Sequence, residues 1–554
     1  MRIKADLFEA ILWLLGSILT FIFIKTLIFL TLFPIYPDEI GGRLWLSRTL
    51  LDFPYHVNII PASENHITPL SLFWYFPGLV ESFIHGFINS LYTLRLVGIA
   101  FYVLVIVMLS ATLISSQKKA SPPWPLRFSI VISVVFIISL LSLGVLPVFF
   151  ITNRAEQIIL IFLISVLFFC KRLLSTPATI TSVKSILYVL GFFICIIMMF
   201  YMHPKSLYFA PVFFLAAYTI FRHLKKKYLI FSFIFLSILL AGNLQAWKAQ
   251  LSFHNDPVVE QFMNSFNINP ADILTSPRLF VHQFLHSLKT EKSLLTKIEF
   301  QKRADVNYLP PLQLDKKEKV INRVIIFYYL SLFVILLMAI IRSYFADFRK
   351  NNFFSFNLIL LSTFGSILIW NLLNLTKTWY DVGYFWATLS IICVFFITEN
   401  LNKIKRRTAC QVVIISSIIC IISLQIFHLN YRYKILHGYA GPSVPLVNFH
   451  FKEYQKTLRL AEVACFADKK ASNNLALDDY TYLYFKRSKY PVLVTYINHH
   501  TTGNKFPALI KQGKISSIII RCSSFVSIPN LKEKSLIHIG NICCYPGNKL
   551  KELT

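Results

Sequence analysis

The chain has 554 residues, 56% hydrophobic, 16% aromatic and only 15% charged, with a net charge of +29. A soluble domain carries about 25% charged residues, so the composition excludes a water-soluble globular protein and points to a polytopic membrane protein. A nucleic-acid binder is excluded as well, because Lys and Arg fall in alternate short loops between apolar runs and not along one arm or face.

In chain order, the apolar runs predict about eleven transmembrane helices. They lie roughly at 10–33, 91–115, 128–150, 157–170, 186–202, 206–221, 229–247, 324–341, 353–373, 383–398 and 411–428. The fourth and sixth are short, as suits tilted or partly re-entrant segments. The first is too long for a signal peptide and lacks a small-residue cleavage site after it.

Basic residues set the expected orientation. Arg2/Lys4, Lys118/Lys119/Arg127, Lys171/Arg172/Lys184, Arg222/Lys225/Lys226/Lys227, Arg342/Arg349/Lys350 and Lys403/Lys405/Arg406/Arg407 fall on one side. The intervening short loops hold single bases, Arg154, Lys205 and Lys377. By the positive-inside rule the N-terminus is cytoplasmic and the C-terminal tail is outside. Contact with the anionic lipid of the bilayer accounts for much of the remaining basic charge. The expected organisation is a transmembrane module over 1–428, with outer loops 34–90 and 248–323, followed by a C-terminal domain over 429–554 on the non-cytoplasmic face.

Within the first outer loop, Leu44–Leu51 has apolar residues at helical spacing, and Pro69–Ile88 carries Phe73, Trp74, Tyr75, Phe76 and Phe83. Both suit helices lying in the membrane interface. The loop 248–323 is polar and reads as a solvated lid or connector. The tail reads as a small α/β domain: strands at 475–477, 492–496 and 515–520 alternate with helical patterns at 451–466 and 505–512. Cys170, Cys195, Cys393, Cys410 and Cys420 lie in or at spans, where cysteine behaves as a small hydrophobe. Cys465, Cys522, Cys543 and Cys544 lie in the tail, where oxidation is possible. The vicinal pair Cys543-Cys544 does not readily bridge itself, which leaves Cys465 and Cys522 as partners with the pairing open. No CxxC or His-rich metal pattern occurs.

Four charged clusters sit where spans leave the bilayer on the expected outer side: Asp38-Glu39 after the first span, Arg154-Ala155-Glu156, His203-Pro204-Lys205, and Lys377-Thr378-Trp379-Tyr380-Asp381. Each alone fits interfacial anchoring, helix capping or a local ion pair. Four on one face favour a shared pocket rim, since carboxylates at a membrane surface are costly unless solvated, paired or used. The chemistry they fit is glycosyl transfer from a lipid-phosphate sugar. A rim carboxylate takes the proton of an acceptor hydroxyl as it attacks the anomeric carbon. Arg154, Lys205 and Lys377 stabilise the departing polyprenyl phosphate. Trp379, Tyr380 and Trp74 offer flat faces to a sugar ring. Glu156, His203 and Asp381 complete the candidate substrate site; His56, His66, Tyr55 and Glu64 are candidate acceptor contacts, each also readable as structural.

Asp38-Glu39 just after the first span, with the Arg154-x-Glu156 and His203-Pro204-Lys205 turns, resembles the GT-C superfamily of integral-membrane glycosyltransferases over about 1–428. The turns are similar to those of bacterial members that modify O-antigen, lipopolysaccharide or other surface glycans. The resemblance implies Asp38 as general base, with Glu39 assisting by hydrogen bonding or, in some members, by contact with a divalent metal. It also implies a polyprenyl-phosphate sugar donor, a glycan, lipid or protein acceptor, and a place in the bacterial cytoplasmic (inner) membrane. Nothing selects the sugar. The tail has no WWD-type motif of oligosaccharyltransferases, and no cytoplasmic nucleotide-binding domain exists for a nucleotide-sugar donor. The alternatives are a polymerase or ligase of lipid-linked glycans and a flippase. A transporter should show mid-span charges and a repeat, and Lys25 is the clearest mid-span charge here.

Overall fold

The computed structural model describes residues 2–31, 91–117, 126–152, 155–175, 182–202, 204–222, 226–252, 268–270, 272–296, 316–375, 379–400, 415–427, 429–430, 451–465, 475–477, 481–485, 492–493, 517–522 and 536–545. The chain folds as two compact units. One comprises Met1–Leu30, Val97–Leu244 and Phe266–Ile435, and the other Thr31–Leu96, Gln245–Ser265 and Leu436–Thr554.

The protein is a polytopic helical membrane protein with a small sheet near its C-terminus. Among the described residues, 8 helices are long and apolar enough to cross a membrane, and Ser129–Leu141, Lys205–Phe221 and Ile415–Phe427 are shorter apolar helices. Together they fall on the segments expected from hydropathy. The fourth segment is longer than its apolar run: the helix Ala155–Leu174 carries Lys171 and Arg172 in its last turn, where cations oppose the partial negative charge of the carbonyl end.

The third segment departs from expectation. It is not one span over 128–150 but two helices, Leu126–Leu141 and Leu146–Ile151. Gly144 between them takes a left-handed backbone (φ 61°), and Pro147 at the start of the second helix has no N–H to continue the first. A break inside apolar surroundings orphans carbonyls that water cannot reach. Here three other helices supply the donors. Tyr102 Oη donates to Leu141 O (2.5 Å), Tyr329 Oη to Leu143 O (3.2 Å), and Gln425 Nε2 to Ser142 O (2.6 Å).

The short helix after the break packs closely on its neighbours. A methyl added at Gly98 would run into the Ile151 carbonyl, and one at Gly383 would lie 2.7 Å from Phe149 Cβ. Glycine is needed at both places for the approach of the backbones.

The loop 248–323 is also more than the expected connector. It contains the helix Pro277–Thr296, whose Ser287 Oγ donates to Leu372 O (2.5 Å), while Ile268 N donates to Leu373 O (2.8 Å). Both bonds tie this segment to the carbonyl end of the helix Phe356–Leu373. The expected interfacial helices at 44–51 and 69–88 lie outside the described residues.

In the tail, the strands are β1 Leu475–Leu477, β2 Val492–Leu493, β3 Ser517–Arg521, β4 Ile537–Ile539 and β5 Ile542–Tyr545, in the order β2-β1-β3-β5-β4. β1 runs parallel to β2 and β3; β5 runs antiparallel to β3 and β4. The helix Phe451–Cys465 packs on one face through Leu458, Ala461 and Cys465 against Leu477, Ile519 and Cys544. The strands expected at 475–477, 492–496 and 515–520 are present as β1, β2 and β3 within the described residues, β3 running on to Arg521; β4 and β5 form a hairpin not expected from the sequence. Its turn is Gly540-Asn541 with Gly540 at φ 60°, the positive φ that two-residue hairpin loops require. Ile539-Gly540-Asn541-Ile542 is the signal that identifies it in the sequence. The helical pattern at 505–512 lies outside the described residues. The tail cysteines are paired as Cys465–Cys544 and Cys522–Cys543.

Candidate functional site

Helix ends build the site. Glu156 lies in the first turn of the helix Ala155–Leu174, and Asp381 in the first turn of the helix Trp379–Asn400. An N-terminal turn presents unpaired N–H groups and partial positive charge, which favours an ionised carboxylate there. Between them comes Lys205, from the 3-10 helix Pro204–Phe209 that follows the helix Val183–Met202. Ser206 Oγ fixes this turn by donating to Met199 O (2.6 Å).

The three charges meet. Lys205 Nζ donates to Glu156 Oε1 at 2.6 Å and to Asp381 Oδ1 at 3.0 Å. The side chains of Glu156, Asp381 and Lys205 are 2%, 4% and 15% exposed. Two of the three ammonium donors are thus spent on carboxylates. Aromatic rings complete the surroundings: the ammonium lies 5.2 Å from the centroids of both Trp370 and Tyr380 and 5.8 Å from that of Tyr384. At these distances ring quadrupoles add to the attraction, more so when water is excluded. Trp370 and Tyr384 pack edge to face, 5.1 Å between centroids.

The helix break upstream sets the position of Glu156. Gln157 Nε2, next in the chain, donates to Phe149 O, and Thr152 Oγ1 donates to the same carbonyl at 3.0 Å. The start of the Ala155–Leu174 helix is thereby stitched to the short helix, which in turn sits against Gly383, close in sequence to Asp381.

The structure therefore brings Glu156, Lys205, Tyr380 and Asp381 together out of the residues singled out in the sequence. Asp38, Glu39, His56, His66, Arg154, His203 and Lys377 lie outside the described residues. Trp379 has a described backbone, at the start of its helix, and an undescribed side chain. Trp370 and Tyr384 were missed, because an aromatic inside an apolar helix has the pattern of a core residue. The one available signal was helical spacing, since Tyr384 follows Tyr380 by one turn. Glu156 and Asp381 are hard oxygen ligands of the kind Mg²⁺ takes; in this arrangement Lys205 stands between them.

No protein-family model and no curated protein matches the chain. Among solved structures it is similar, over 91% of its length, to the archaeal oligosaccharyltransferase AglB of Archaeoglobus fulgidus in complex with an inhibitory peptide and a dolichol-phosphate, with 69% of that chain covered, 13% identity and a TM-score of 0.45. It is similar over 95% of its length to ArnT of Cupriavidus metallidurans bound to undecaprenyl phosphate, with 97% of that chain covered, 11% identity and a TM-score of 0.48. A third structure, the Archaeoglobus fulgidus oligosaccharyltransferase tethered with an acceptor peptide, matches 92% of this chain and 69% of its own, with 12% identity and a TM-score of 0.42.

Proposed function

We propose that this protein is a membrane glycosyltransferase of the GT-C kind, moving a sugar from a polyprenyl-phosphate donor to a glycan, lipid or protein acceptor on the non-cytoplasmic face. The observation that supports it is the burial of Lys205 between Glu156 and Asp381 at the ends of apolar helices. Such a cluster is expensive to desolvate, and a use other than stability explains its presence.

In this reading the Asp38 carboxylate takes the proton of the acceptor hydroxyl, whose oxygen attacks the anomeric carbon. The bond from that carbon to the phosphate oxygen breaks, and its electron pair leaves with the polyprenyl phosphate. Glu39 supports Asp38. Lys205, Arg154 and Lys377 offset the growing charge on the phosphate. Glu156 and Asp381 hold the Lys205 ammonium in place, so that it needs little reorganisation during transfer. Tyr380 and Trp379 offer flat faces to the sugar, His203 serves substrate binding, and His56 and His66 contact the acceptor.

The test is transfer of radiolabelled sugar from a panel of synthetic polyprenyl-phosphate sugars by the purified protein, comparing wild type with Asp38→Asn. Transfer by wild type and a drop of about 10²-fold to 10⁴-fold in the variant support the reading. No turnover with any donor by wild type overturns it and favours a lipid-linked glycan polymerase, ligase or flippase.

A further inference from the structure

The tail holds two disulfides that leave adjacent residues of β5 on opposite faces of the sheet. Cys544 joins Cys465 inside the core beneath the Phe451–Cys465 helix, with the two residues 0% and 4% exposed. Cys543 points the other way and joins Cys522, which follows β3 and is partly exposed. On that face His538 of β4 stands directly opposite Cys543 in the ladder, so the two side chains are neighbours. His538 is exposed, and its Nδ1 lies 3.1 Å from Cys543 Sγ and 3.7 Å from Cys522 Sγ. The ligand atoms of all three residues fall within 4.8 Å of one another.

Thiol–disulfide exchange needs one sulfur that an incoming thiolate can reach and another that leaves as a stabilised thiolate. This bridge has both. Cys522 is the partly exposed residue of the bridge and Cys543 is fully buried, and the His538 ring nitrogen beside Cys543, when it carries a proton, is the kind of donor that stabilises a thiolate. The core bridge has neither an exposed sulfur nor, among the described residues, a histidine beside it.

We propose that Cys522–Cys543 is a thiol-exchange site, at which an external dithiol of the disulfide-oxidoreductase kind forms a mixed disulfide with Cys522 while His538 holds the departing Cys543 thiolate. One thiolate of the dithiol attacks Cys522 Sγ. A new S–S bond forms to Cys522, the Cys522–Cys543 bond breaks, and its electron pair stays on Cys543 Sγ facing the His538 N–H. The second thiol of the dithiol, deprotonated, then attacks its own partner sulfur and releases the Cys522 thiolate. Two electrons pass from the dithiol, which becomes a disulfide, to the protein, whose cysteines take up the protons. The proposal concerns the tail alone and does not depend on the glycosyltransferase reading.

The experiment uses the full chain in detergent, exposed to limiting dithiothreitol, quenched with acid at intervals, alkylated and read by peptide mass spectrometry. Cys522 and Cys543 should be alkylated about tenfold sooner than Cys465 and Cys544, and His538→Ala should slow that opening by about threefold to tenfold. Oxidised glutathione should add to Cys522 in Cys543→Ser and not to Cys543 in Cys522→Ser. Simultaneous opening of both bridges, earlier opening of Cys465–Cys544, or equal adduct formation in the two serine variants would overturn the proposal. An unchanged opening rate in His538→Ala would remove the role given to His538.

Discussion

At one end of the Trp379–Asn400 helix, Asp381 meets Lys205 at 3.0 Å with side chains 4% and 15% exposed. At the other end, Glu399 meets Lys171 at 3.4 Å with side chains 34% and 23% exposed, and Lys171 also donates to Thr398 Oγ1 at 2.8 Å. At the rise of a helix the two pairs stand about 27 Å apart, close to the thickness of a hydrocarbon core. The Lys171–Glu399 pair keeps partial contact with water, so it gives up less hydration than a fully buried pair and depends less on its partner. The pair at Asp381 belongs to a largely buried triad, where each charge needs its partner. A fold can dispense with the first kind of pair. In the proposed reading the site has a use for the second kind, and Glu156, Lys205 and Asp381 mark it where Lys171 and Glu399 do not.

The contrast can be broken by substitution. Lys205→Ala should cost the most, about 3–5 kcal/mol, because two buried carboxylates lose the cation between them. Thermal unfolding in detergent reads this as a large fall in midpoint, and a fall no greater than that of Lys171→Ala would end the distinction. Gly383→Ala comes next, at about 1–3 kcal/mol, since the added methyl forces Phe149 and the short helix away from Asp381. If that helix positions Glu156 as described, the variant should also reduce sugar transfer more than its stability loss explains. Tyr329→Phe should cost about 1–3 kcal/mol by leaving a buried carbonyl at the helix break without this donor, again by thermal unfolding. Lys171→Ala should cost at most about 1 kcal/mol. Raising the salt concentration should shrink that difference further while leaving the Lys205→Ala effect nearly unchanged, because screening reaches a partly exposed pair more than a buried one.

Legibility in the sequence followed the range of the forces involved. Hydropathy marks spans because burial in lipid is a property of a local run, so the positions of the apolar segments could be read from the hydropathy pattern. The break at Ser142–Val145 could not, because Gly144 and Pro147 sit in an uninterrupted apolar stretch and the donors that make the break tolerable come from Tyr102, Tyr329 and Gln425. The Pro277–Thr296 helix was obscured for a related reason: its polar residues resembled a connector, and its register against Leu372 is a tertiary fact. In the tail, the sequence allowed either Cys465 or Cys522 as partner for each vicinal cysteine. Strand alternation assigned them, since Cys543 and Cys544 must face opposite sides of β5.

The sequence by itself determined that the protein lives in a membrane, where its apolar segments run, and that Glu156, Lys205 and Asp381 are charges lodged at span ends. Those properties depend on each residue and its near neighbours. Only the tertiary structure decided that these three charges form one cluster, ringed by Trp370, Tyr380 and Tyr384, because a 2.6 Å contact between residues far apart in the chain depends on how whole helices pack.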